Sequence, residues 1–128
     1  MKKRKNIITV AIDSPAAAGA GTQAKLIAQH YNLFYLDTGK IYRYIGNLKI
    51  KNKKKFSYKL VSRKIKSLKF NYLKSKYLLT NEVAISASEV AKDKKIRKIV
   101  HNFQQKCAYQ PPMKFNGSIL DGRDIITV

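Results

Sequence analysis

The sequence predicts an α/β fold built on an open parallel sheet, and three observations carry that reading. A short β-rich apolar run at residues 7–12 leads through a small-residue turn at 14–21 into a helical pattern. Two more short apolar runs, 33–36 and 117–121, stand apart from it, and the last ends in an acid, Asp121. Helical periodicity fills most of the chain between them, so the order is strand, helix, strand, helix, insert, helices, strand.

Each element has its own warrant. Residues 7–12 read Ile-Ile-Thr-Val-Ala-Ile, the near-continuous apolar run of a strand buried on both faces. From Thr22 to Tyr31, Ala24, Ile27, Ala28 and Tyr31 fall on one helical face. After the second strand, Thr38 is placed to cap a helix that runs to about Leu48. Residues 51–55 form a charged linker, and 57–68 put Leu60, Val61, Lys64, Ile65 and Leu68 on one helical face. Residues 70–73 and 77–80 read as a small hairpin around 74–76. The helical period returns at Val83, Ala87, Val90 and Ala91; Asp93 then caps a helix with Ile96, Ile99, Val100, Phe103 and Cys107 inward. Pro111 and Pro112 stop it, since proline cannot continue a helix.

Composition narrows the class. A chain of 128 residues with 45% hydrophobic content supports one globular domain with a modest core. One cysteine, Cys107, excludes an intrachain disulfide framework and fits a core thiol in a reducing cytoplasm. The basic start followed by an apolar run imitates a secretory signal, but that run is six residues long, includes Thr9 and meets Asp13. A working signal needs roughly 7–15 apolar residues and a membrane span roughly 20, so a soluble, cytoplasmic chain is expected; a monomer is the separate expectation for its assembly. His30 and His101 stand alone, without the neighbours a zinc site needs.

The formal charge is +20, from 27 Lys and Arg against 7 Asp and Glu. Twelve of the basic residues lie between Lys49 and Lys76, a stretch with no acid. That stretch reads either as a non-specific nucleic-acid-binding patch or as lysine filling solvated positions in a lysine-rich chain. The lack of a spaced aromatic stacking platform favours the second reading, with Tyr35, Tyr42, Tyr44, Tyr58 and Tyr72 taken as packing residues.

Four segments carry chemistry. Asp13-Ser-Pro-Ala-Ala-Ala-Gly-Ala-Gly-Thr22 lies between a strand and a helix, where small residues let backbone N–H groups converge on phosphate oxygens. Alone, it is equally compatible with an ordinary small-residue turn. Leu36-Asp-Thr-Gly-Lys-Ile-Tyr-Arg43 and Ile119-Leu-Asp-Gly-Arg-Asp-Ile125 each set an arginine close behind a strand. Ala87-Ser-Glu-Val-Ala91 is followed by Arg97. An arginine fork suits an anionic group such as a phosphate bidentately.

Together these segments resemble the cytidylate kinases, P-loop nucleoside monophosphate kinases whose motifs run D-G-P-A-A-S-G-K-G-T, L-D-[ST]-G-x-x-Y-R, A-S-x-V-A and L-D-G-R-D-I-G-T-V. The resemblance covers the chain except for about residues 49–80. It implies a P-loop kinase fold with helices on both faces of the sheet, a core of residues 1–48 and 82–128, and a basic acceptor-binding insert at 49–81. It also implies phosphoryl transfer from ATP to CMP or dCMP with Mg²⁺. Ser14, Pro15, Ala16, Ala17, Ala18, Gly19, Ala20, Gly21 and Thr22 would cradle the ATP phosphates, and Thr22 would help hold the metal. Thr38, Arg43, Ser88, Arg97, Arg123 and Asp124 would bind CMP, with Arg43, Arg123 and Asp124 as the catalytic set.

Three departures qualify what the resemblance implies. Ser14 and Ala20 replace the loop's first glycine and its lysine, and Lys25 or Lys40 is the nearest substitute for that charge. The insert is shorter before Glu82. The chain also lacks the C-terminal part that the family's pattern continues into. A catalytically impaired nucleotide-binding fragment and a basic RNA-binding protein are the rival readings.

Overall fold

The structure is a computed structural model that describes residues 7–13 and 20–122. Residues 14–19, most of the phosphate-loop motif, and residues 123–128, with Arg123 and Asp124, lie outside the described residues. Along the chain the elements are β1 (Ile8–Asp13), α1 (Ala20–Tyr31), β2 (Phe34–Asp37), α2 (Thr38–Lys51), α3 (Tyr58–Lys66), two 3-10 helices (Phe70–Lys74 and Lys76–Leu79), α4 (Asn81–Val90), α5 (Lys94–Tyr109) and β3 (Gly117–Gly122). They divide into two compact units, Met1–Thr38 with Gln104–Val128, and Gly39–Phe103. No described helix is long and apolar enough to cross a membrane.

The first unit is an open three-stranded parallel sheet in the order β1-β3-β2. The last strand in sequence is central, and Gly117, Ser118, Ile119 and Leu120 are all buried. Gly117 is needed because a Cβ there would overlap the Ile8 backbone. α1 covers one face: Ala24 and Ala28, small enough to bring the helix close, pack with Leu33 and Ile119, flanked by Val10, Ile12, Ile27 and Tyr35. The last turn of α5 covers the other face. The final four carbonyls of a helix have no intrahelical partner. Here the Ser118 hydroxyl donates to Cys107 O at 2.6 Å and the Thr9 hydroxyl to Ala108 O at 3.2 Å. α1 ends on Asn32 at φ 55°, a left-handed cap that asparagine tolerates. The Asn32 amide donates to Lys114 O, and its own carbonyl accepts from Asn116 N.

The second unit is helical. Its buried apolar residues are Ile41, Ile45 and Leu48 of α2, Val61 and Ile65 of α3, Leu73 and Leu78 of the 3-10 helices, Val83, Ala87 and Val90 of α4, and Ile96 and Val100 of α5. Ser57, Thr80 and Asp93 cap α3, α4 and α5 through their side-chain oxygens. α2 and α4 touch backbone to backbone at Gly46, where the buried Ser86 hydroxyl donates to Gly46 O at 2.8 Å.

Three sequence expectations are corrected. β1 is not buried on both faces: Ile8 is 41% exposed, because among the described residues β1 is an edge strand paired only with β3. Thr38 is the first residue of α2, not its cap; Asp37 lies in register with Asp121, and the Thr38 hydroxyl reaches Asp121 O. The hairpin at 70–80 is instead a pair of 3-10 helices. An isolated two-stranded hairpin is marginal, and each arm has one residue to bury, Leu73 or Leu78. Single turns bury those residues, while Tyr72 N, Ser75 N and Leu78 N bond to the carbonyls three residues back.

Candidate functional site

In the first unit, the carboxyl ends of the three strands form one edge. Asp13 lies in register with Gly122, and Asp37 with Asp121. α1 begins at Ala20, seven residues past the end of β1 and close to where the sequence placed its start. Its first turn leaves backbone N–H groups without helical partners and carries the positive end of the helix dipole. Ligands of open α/β sheets bind at this edge. Of the loop motif, Thr22 is described, exposed in the first turn of α1. Ala20 and Gly21 are its first two residues.

Asp121 anchors a small polar network. The Tyr35 hydroxyl donates to its Oδ2 at 3.0 Å, and the Thr38 hydroxyl donates to its backbone carbonyl at 3.0 Å. Thr38 is 2% exposed, and its hydroxyl ties the β3 end to the start of α2. Burial, then the charge of Asp37, then the bond to Asp121 hold the Tyr35 hydroxyl far above its ordinary range. It therefore stays protonated and keeps donating. The Lys25 ammonium stands 5.9 Å from the centre of the Tyr35 ring, a cation on the α1 side of this network.

The sequence reading missed the role of Tyr35, taking it as a packing residue. The signal was alternation: Tyr35 and Asp37 share one face of β2, and the parallel register sets Asp121 beside them.

The second unit holds three of the expected acceptor residues. Arg43 is half-buried and donates through Nη1 to Leu78 O at 2.8 Å. That bond uses one of five guanidinium N–H groups and pins the side chain to the second 3-10 helix. Ser88 is exposed on α4, two residues beyond the inward-facing Ser86, and Arg97 is exposed in the first turn of α5. Ser88 and Arg97 each reach solvent from their own helix.

Sequence comparison decides the affiliation. The family model of the cytidylate kinases matches residues 10–128, a span that holds all the motifs above. The chain belongs to the cytidylate kinase family. It is similar to the cytidylate kinase of Bradyrhizobium sp. (strain ORS 278), 38% identical over 125 residues that are 93% of this chain and 55% of that protein. It is 40% identical over 120 residues to the cytidylate kinase of Paramagnetospirillum magneticum, with 93% of this chain and 56% of the relative covered. The figure is also 40% for that of Bartonella tribocorum, over 125 residues, with 93% and 54% covered. The chain thus spans about half the length of the curated relatives it matches.

Proposed function

We propose that this protein transfers a phosphoryl group from ATP to CMP or dCMP. The observation that carries the reading is the family match across residues 10–128, which takes in the phosphate-loop segment and the acceptor motifs together. An oxygen of the CMP phosphate attacks the γ-phosphorus, the bond from that phosphorus to the β-phosphate oxygen breaks, and the products are CDP and ADP. Catalysis of this kind is mostly positioning and electrostatic stabilisation.

The backbone of residues 14–22 and the N-terminus of α1 cradle the donor phosphates. Thr38 fixes the strand end, Arg43 and Arg97 hold the acceptor phosphate, and Ser88 reads the cytosine edge. Arg123 and Asp124 clamp the phosphate and the sugar. Among the described residues no three His, Cys, Asp or Glu side chains gather to hold a metal. Magnesium does not need such a cage, since it takes a carboxylate or two and keeps its waters and the substrate phosphates. The Thr22 hydroxyl and the Asp121 carboxylate are hard oxygen donors of that kind, and they fit. When bound, the ion offsets charge on the transferring phosphoryl group.

Ala20 favours a second reading, an impaired enzyme. Loss of the loop lysine removes electrostatic stabilisation on the order of 10²–10³ in rate. Chromatographic measurement of CDP and ADP from ATP and CMP tests both readings. Equal amounts of the two products, formed faster by Ala20→Lys, support an impaired kinase. Absence of CDP with both proteins, while nucleotide still binds, would leave only a binding role.

A further inference from the structure

The second unit carries 19 basic side chains against three acids, Glu82, Glu89 and Asp93. Its acid-free stretch from Lys49 to Lys76 holds 12 of them, and all but Lys64 are exposed. α3 orders part of this charge. Val61 and Ile65 turn inward, so Lys59, Arg63 and Lys66 form an outward ridge at helical spacing. Like charges four apart on a helix repel, and nothing acidic within the stretch offsets that repulsion.

The two 3-10 helices add a feature that the sequence did not show. Each buries its leucine and turns a tyrosine outward. Tyr72 is 57% exposed and Tyr77 76%. The bond of Tyr77 N to the Ser75 hydroxyl fixes the backbone of the second turn. Exposed flat rings on 3-10 turns, in a stretch of sequence without acids, are the two parts of a single-strand binding surface; in space Asp93 meets the first turn of α3 through the Tyr58 hydroxyl. Cations follow the phosphates, and rings stack on bases. Duplex bases are already stacked on one another, so the rings gain little from a double strand. A membrane is a poorer fit, because the apolar face of α3 is buried and its outer face is cationic.

We propose that the surface from Lys49 to Tyr77 binds single-stranded nucleic acid, with lysines and Arg63 on the phosphates and Tyr72 and Tyr77 stacked on bases. The proposal does not depend on the kinase reading, although Arg43 of the expected acceptor set reaches the same second 3-10 helix at Leu78 O. Fluorescence anisotropy of a fluorescein-labelled oligouridylate, titrated with the whole chain over a series of KCl concentrations, tests it. Logarithmic affinity should fall linearly with logarithmic salt. Replacing Lys59, Arg63 and Lys66 together with Gln should flatten that slope by about 2, at roughly 0.7 per neutralised phosphate. Tyr77→Leu should weaken binding on the order of tenfold or more, whereas Tyr77→Phe, which keeps the ring, should bind like the wild type. Tyr72→Leu should repeat the loss. A duplex of equal length should bind more weakly at the same salt.

If both leucine variants bind as the wild type does, only counterion release is at work and the stacking site is refuted. Tighter, tyrosine-dependent binding to phosphatidylserine vesicles than to the oligonucleotide would refute it in favour of a membrane surface. Both tyrosines are exposed, so circular dichroism should report the wild-type fold in every variant, and a collapsed spectrum in the tyrosine variants would also overturn the assignment.

Discussion

Gly46→Ala tests how the helical unit is assembled. A Cβ at this position would lie 2.7 Å from Ala87 N, 3.0 Å from Ser86 C and 3.1 Å from Ala87 Cα. All three are backbone atoms of α4, so no side chain can swing aside. To reach ordinary contact at 3.4 Å, α2 and α4 must separate by about 0.7 Å. The Ser86 hydroxyl bond to Gly46 O, now 2.8 Å, then stretches to the edge of hydrogen-bonding range. Overpacking of this kind costs about 1–3 kcal/mol, and weakening a buried hydrogen bond about 1 kcal/mol more. Alanine returns up to about 1 kcal/mol through its better helix propensity. The net expectation is a loss of about 1–3 kcal/mol, read as a lower midpoint in urea unfolding with an unchanged slope. Equal or greater stability in Gly46→Ala would refute the close crossing of α2 and α4.

Other substitutions probe the strand-end network and the charges. Tyr35→Phe removes the donor to Asp121 and should cost about 1 kcal/mol at neutral pH. The folded state holds the Tyr35 hydroxyl above its unfolded value near 10, so wild-type stability should fall as pH climbs past that value, and the fall should shrink in Tyr35→Phe. The Tyr58 hydroxyl donates to Asp93 Oδ2 at 2.7 Å, and this bond is the main cause that holds the Asp93 carboxyl below its ordinary range. NMR titration of Tyr58→Phe should find Asp93 protonating at higher pH than in the wild type. Burial pushes the Cys107 thiol up to about 11. It should therefore react with a thiol reagent at pH 8 only as fast as the chain opens, and urea should speed the labelling. Lys25→Met should weaken ATP binding if Lys25 stands in for the missing loop lysine, and Ala20→Lys should restore it in the double variant; equal ATP affinity in Lys25→Met would remove Lys25 from the site.

Much of the architecture was legible because it follows from local periodicity and capping. The apolar spacing of residues 83–91 gave α4, and Asp93 followed by inward Ile96 and Val100 gave α5 together with its cap. What the sequence hid depends on neighbours. Whether the apolar run at β1 is covered depends on strand order, and β1 proved to be an edge. The stretch of Phe70, Leu73, Tyr77 and Leu78 has the residue types of strands. With no adjacent strand to pair, its backbone closes on itself in 3-10 turns. The same contrast holds at the candidate site. Arg43 and Ser88 were proposed from motifs, whereas the bond of Tyr35 to Asp121 joins residues 86 positions apart and depends on parallel register.

Calorimetric titration of the chain with CMP, and in parallel with AMP and GMP, tests the acceptor assignment most directly. It reads binding alone and does not require turnover. CMP should bind more tightly than either purine monophosphate. Arg43→Ala should weaken CMP binding by about 1.5–3 kcal/mol, the range for hydrogen bonds to charged groups. AMP binding as tight as CMP, or CMP binding unchanged by Arg43→Ala, would contradict a cytidylate acceptor site in this chain.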